Sequence, residues 1–151
     1  MGRRYCVDGQ GSNDDTTHAA ILGLTSATTI KPKIYDLIIG SDAVAADNAV
    51  ELVLQRYTAA GSGDDITPRP LDPDDPAALA AAKENHTADP TFTDDLVLLQ
   101  IGMNQRATFR WVAAPGGEIV LPAATANGVG LQTINLSASP YNTNVTMHYE
   151  E

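Results

Sequence analysis

Residues 96–149 decide the fold: Leu96-Val-Leu-Leu-Gln-Ile101, then Ala107-Thr-Phe-Arg-Trp-Val-Ala113, Glu118-Ile-Val-Leu121, Val129-Gly-Leu-Gln-Thr-Ile-Asn-Leu136 and Thr143-Asn-Val-Thr-Met-His-Tyr149. The first is a nearly continuous apolar run. In the second, Phe109, Trp111 and Ala113 alternate with Thr108, Arg110 and Val112, the period of a half-buried strand. Turn signals separate the pieces: Gly102-Met-Asn-Gln-Arg106, Pro115-Gly-Gly117, Pro122, Asn127-Gly128 and Pro140-Tyr-Asn142. Strands at spacings near ten residues with Gly, Pro and Asn between them predict an antiparallel stack of sheets.

Working outward, Lys33-Ile-Tyr-Asp-Leu-Ile-Ile-Gly-Ser41 is a further strand, rich in β-branched and aromatic residues and bounded by Pro32 and Gly40. Ala49-Val-Glu-Leu-Val-Leu-Gln-Arg-Tyr-Thr58 fits two periods. A helix would place Val50, Val53, Leu54 and Tyr57 on one face with Asp47 as its cap; alternation places Val50, Leu52 and Leu54 on one strand face. The shortness of the run, its valines and the Gly-rich turn behind Tyr57-Thr58 favour the strand.

Residues 61–95 hold Pro68, Pro70, Pro73, Pro76 and Pro90 among nine acidic residues, and read as a long connection. Within it, Asp75-Pro-Ala-Ala-Leu-Ala-Ala-Ala-Lys-Glu84 predicts one short helix: Asp75 caps, Pro76 takes the first helical position and the alanines propagate. Residues 1–30 begin with a Gly-, Asp-, Asn-, Ser- and Thr-rich stretch and predict a flexible N-terminal arm, with a short apolar run at Ala19–Leu24. The expected architecture is therefore all-β, an antiparallel β-sandwich or jelly-roll-like barrel over 31–151, with one short helix in a long loop and an arm in front of it. No βαβ alternation is present, which argues against a parallel sheet.

Composition bounds the function. The 151 residues carry nine basic against nineteen acidic side chains, a net charge of −10. That balance repels a phosphate backbone, so nucleic acid is not an expected partner. No apolar run nears the roughly 18–20 residues that span a bilayer, and no apolar stretch follows Arg3-Arg4, so neither a membrane nor a secretory signal is expected. With one cysteine, Cys6, neither an internal disulfide nor a multi-cysteine metal site is available. His18, His86 and His148 have no ligand spacing. Asp72-Pro-Asp-Asp-Pro76 offers oxygens to calcium, but the prolines stiffen it and the glycine and final glutamate of an EF-hand loop are missing, so a solvated turn is the simpler expectation. Gly9-Gln-Gly11 and Gly61-Ser-Gly63 are followed by acids rather than by a phosphate-binding lysine. The acids cluster in the Pro-rich connection instead of pairing for general acid–base work, there is no Gly-x-Ser-x-Gly elbow, and no enzyme activity or cofactor is expected. The sequons at Asn85, Asn135 and Asn144 carry no meaning without export.

What remains is contact. In Arg106-Ala-Thr-Phe-Arg-Trp111, Phe109 and Trp111 share a strand face and read as a core pair, which turns Arg106 and Arg110 outward as candidates for a neighbouring carboxylate. Arg3, Arg4 and Tyr5 are the corresponding candidates on the arm.

Ala46-Asp-Asn-Ala-Val-Glu-Leu-Val-Leu-Gln-Arg-Tyr-Thr-Ala-Ala-Gly61, Leu71-Asp-Pro-Asp-Asp-Pro76 and Asn104-Gln-Arg-Ala-Thr-Phe-Arg-Trp-Val-Ala-Ala-Pro-Gly-Gly-Glu118 resemble stretches of small structural proteins of tailed-bacteriophage virions, over about residues 31–151. These are packing and turn residues, which mark a lineage better than a role. The resemblance implies a capsid decoration, or cement, protein: a homotrimer made in the host cytoplasm, placed on the capsid exterior and tying major capsid protein subunits together, with residues 1–30 ordering on the shell. The other role it allows is a tail, neck or fibre-associated virion protein that binds a host surface or a neighbouring ring.

Overall fold

The computed structural model describes residues 2–12, 20–42, 44–134 and 141–151. Twelve strands run through them: β1 (Arg4–Ser12), β2 (Ala20–Thr25), β3 (Lys33–Ser41), β4 (Ala49–Tyr57), β5 (Ser62–Ile66), β6 (Arg69–Pro70), β7 (Ala81–Ala88), β8 (Phe92–Asn104), β9 (Phe109–Val112), β10 (Ile119–Val120), β11 (Gly128–Thr133) and β12 (Asn142–Glu150). They form two antiparallel sheets. One has the order β10-β3-β12-β1-β6, with β9 also on β3; the other is β5-β7-β2-β11-β4-β8. The inward side chains of both sheets meet in one core that includes Leu22, Leu24, Leu54 and Leu131 from the second sheet and Ile34, Leu37, Met147 and Tyr149 from the first. Fully burying an aliphatic side chain of this size contributes about 1.5–3 kcal/mol.

The all-β expectation holds, and the strand reading of residues 49–58 is the correct one of the two. Leu52 and Leu54 enter the core, and the backbone pairs with β11 on one side and β8 on the other. Phe109 and Trp111 are half-buried against the core, as their shared face requires.

Two expectations are corrected. The short helix at Asp75–Glu84 is absent, and its second half opens β7. Ala80 and Ala82 are buried and Ala78 packs beside them, so the alanines are used at a period of two. Tertiary burial outweighs the tenths of a kcal/mol per residue by which alanine favours a helix. Asp75 caps nothing: its backbone N–H closes a turn on the Asp72 carbonyl at 3.0 Å, and its carboxylate lies 3.4 Å from Arg3. Asp72 itself accepts the Asp74 N–H at 3.1 Å, so the acidic tract is a self-bonded turn.

The second correction concerns the arm. Residues 4–12 form β1, an interior strand between β12 and β6, and residues 20–25 form β2, between β7 and β11. The inward positions of β1 are Tyr5, Val7, Gly9 and Gly11; the two glycines hide the alternation from a hydropathy reading. A Cβ on Gly9 would stand 2.8 Å from Leu22 Cδ1, so the missing side chain is what lets the sheets close here. Residues 13–19, which include His18, and residue 135 of the second sequon lie outside the described residues.

Candidate functional site

The outward face of the first sheet carries a polar cluster centred on Asp36. It originates in a bulge. The β12–β3 register runs from His148↔Asp36 to Tyr149↔Ile34, so Tyr35 is the extra residue. Ile34 and Leu37 both point into the core, which leaves Tyr35 and Asp36 side by side on the outer surface. A carboxylate in the middle of Ile34–Ile39 must be paired to be tolerated under cover. Arg110 of β9 supplies the pair through two bonds, Nε to Oδ1 at 2.9 Å and Nη2 to Oδ2 at 2.8 Å. His148 adds a third from Nδ1 to Oδ2 at 3.1 Å. These groups leave Asp36 4% exposed.

The forked guanidinium is the largest influence on Asp36 and holds its carboxyl below the usual carboxylate range; burial opposes the shift and the His148 hydrogen bond assists it. The ring of His148 lies 6.2 Å from that of Tyr35 at 17°, and the Arg4 guanidinium sits 5.8 Å from the other ring's centroid, over Tyr35. Burial raises the Tyr35 hydroxyl above its ordinary pKa. Across the strands, Cys6 of β1 stands in register with His148 and His148 with Asp36. Beside this row lies a concavity of about 370 Å³ whose lining includes Arg4, Lys33, Tyr35, Pro115, Glu118 and Glu150. Lys33 approaches Glu150 at 3.9 Å. The arrangement fixes an alternating set of charges on an open sheet face, which suits binding by surface contact.

Asp36→Ala removes the two bonds accepted from Arg110 and the one from His148, and is expected to cost about 1–3 kcal/mol in chemical denaturation. The pH dependence has a definite sign. A folded pKa held below the unfolded one gives stability that is complete above the unfolded value, near 4, and is lost as pH falls through the folded value. The thermal midpoint of the wild type should therefore fall more steeply below pH 4 than that of Asp36→Asn; equal slopes would show that the pair does not bias folding.

The five contact residues expected from the sequence are not brought together as one patch. Arg4 and Arg110 share the outer face just described. Arg3 pairs with Asp75. Arg106 lies past the end of β8, with Nε donating to the Ala45 carbonyl at 3.2 Å. Arg110 reaches a carboxylate of its own chain, where a neighbour's was expected. Tyr5 is no surface residue: it is 1% exposed, its ring stacks 5.6 Å from Tyr149, and its hydroxyl donates to the Pro76 carbonyl at 3.2 Å. Alternation from the buried Val7 puts it inside.

Asp36, Tyr35 and His148 do not show as a group in the sequence because 112 residues separate Asp36 from His148. The available signal was a lone acid inside an apolar strand.

His86 of β7 is also withdrawn from solvent, at 6% exposure. Burial lowers its pKa, against the opposing charge of Asp89, so the native ring resists protonation. An imidazole whose folded pKa is depressed contributes fully above its unfolded value near 6.5, and that contribution declines as pH falls from there to the folded value. Unfolding free energy measured at pH 7.5 and 5.0 should drop for the wild type and stay closer to level for His86→Gln.

No protein-family model, curated protein or solved structure matches this chain.

Proposed function

We propose that this chain is a jelly-roll domain serving as a structural protein of a tailed-phage virion, a capsid decoration protein that binds major capsid subunits on the outer shell. The observation that carries the reading is the order in which the chain visits its sheets. Four strands lie β9-β3-β12-β1 in one sheet and four lie β8-β4-β11-β2 in the other. Outside the β5–β7 insertion the chain crosses from sheet to sheet at β1–β2, β2–β3, β3–β4, β8–β9, β10–β11 and β11–β12. This is how a jelly roll wraps, and viral capsid domains are among the proteins built that way. The segment β5–β7, inserted between β4 and β8, adds strands to the far edges of both sheets.

A net charge of −10 favours a place away from packaged nucleic acid. The ion pairs of the first sheet lie on an open face, available to repeated shallow contacts that sum over many copies. Quantitative mass spectrometry of purified particles tests the proposal. Abundance approaching that of the major capsid protein is the expected result. A few copies per particle would point to the tail, neck or fibre role, and absence from particles would overturn both.

A further inference from the structure

We propose that the free edge of β8 pairs antiparallel with β8 of a second copy, joining two sheets across a two-fold axis. The inference stands on the edge itself and does not rest on the virion reading. β8 is thirteen residues long and, among the described residues, ends its sheet with β4 as its one strand partner. Sheet edges are normally guarded by charges, prolines, bulges or brevity. Here the guard covers one end only. The register with β4 slips beside Leu98 and again between Val97 and Phe92, where Asp95 takes a φ of 60°. From Leu99 to Asn104 the strand is regular, and Leu96–Asn104 contains neither a charged residue nor a proline.

The direction of its hydrogen bonds follows from the ladder. The Gln105 N–H donates to the Asn48 carbonyl at 2.9 Å, so residues 105, 103, 101 and 99 face β4. By alternation, the amides of Gln100, Gly102 and Asn104 face away from it. Gln100 and Gly102 are exposed, and Leu96 and Val97 beside them are each 44% exposed. The facing edge of the other sheet, β9, has only four residues, so Leu99, Met103, Phe109 and Trp111 remain half-buried along the seam between the sheets.

Charge selects the occupant and its direction. The strand has Asp94 and Asp95 at its beginning and Arg106 just past its end. An antiparallel copy brings the acidic start of each strand toward the basic end of the other, whereas a parallel copy stacks like on like. The opposite edge of the same sheet, β5, carries Asp64 and Asp65 within five residues and is guarded against head-to-tail growth.

Light scattering coupled to size exclusion tests the contact on the intact chain. The expected species is a dimer of the 15.9 kDa chain. Arg106→Asp and Asp94→Arg should each raise the dimer dissociation constant about tenfold, and the double variant should recover most of the loss. Gly102→Pro, which deletes an outward N–H where an added Cβ would meet nothing within 4 Å, should give a monomer while its circular dichroism and melt stay native. A monomeric or trimeric wild type, or charge variants that dimerise as tightly as the wild type, would overturn the proposal.

Discussion

Deleting residues 2–12 is expected to abolish folding. β1 makes nine consecutive register pairs with β12, from Arg4↔Glu150 to Ser12↔Asn142, and its other side carries β6. Its loss removes two core side chains, Tyr5 and Val7, worth about 1.5–3 kcal/mol each. It also uncovers Tyr149, which stacks on Tyr5, and Leu22, which packs beside Gly9. Domains of this size retain roughly 5–15 kcal/mol in total, so the deletion consumes most or all of the margin. Loss of a cooperative thermal transition and collapse of amide dispersion in a proton–nitrogen NMR spectrum are the expected signs. A truncated chain melting within a few degrees of the full one would show that β1 is dispensable.

Gly128→Ala is expected to carry a large cost for a single added methyl group. A Cβ at this position would stand 2.2 Å from the Leu24 carbonyl oxygen and 2.5 Å from the Tyr57 ring. Neither neighbour can yield cheaply. Leu24 is held in the ladder that pairs Gly128 with Thr25 and Val129 with Leu24. Tyr57 is 2% exposed, with its hydroxyl 2.7 Å from that of Thr25, and burial pushes its pKa up to about 12. Overpacking of this kind costs about 3 kcal/mol, or about 6–12 °C in the melting midpoint of a chain this long. Gly40→Ala provides the comparison, because its Cβ would meet only the Thr108 hydroxyl at 3.7 Å. Alanine there should be neutral or stabilise by up to about 1 kcal/mol. If the two variants melt alike, the close approach at Gly128 is not what constrains the sheet.

Gly128 also shows how far the sequence could be read. Asn127-Gly128 signals a turn, and a turn is present, yet the residue there with a left-handed backbone is Ala126, at a φ of 72°. The glycine serves packing. Strands whose inward residues are large, such as β3, β4 and β12, were legible because alternation of Ile, Leu, Val and Tyr reports burial directly. β1 and β7 were not, because their inward positions include Gly9 and Gly11 in the first and Ala82, with Ala80 just ahead of it, in the second, and small residues look the same in a loop, a helix or a closely packed strand. β5 and β6 are short, polar and proline-flanked, and draw their order from neighbours distant in sequence. The Asp36 cluster was hidden for a different reason. Its members come from β3, β9 and β12, and only the assembled sheet aligns them.

The pairing of the first strand with the twelfth has a consequence for synthesis. While the polypeptide grows on the ribosome, β1 has no long partner until residues 142–150 emerge, so one sheet cannot close before nearly the whole described chain exists. Closure should be slow, in the millisecond-to-second range typical of distant strand pairings. Until then the nascent chain exposes a sticky ribbon, and cooler expression or chaperone supply should raise the soluble yield by shielding it.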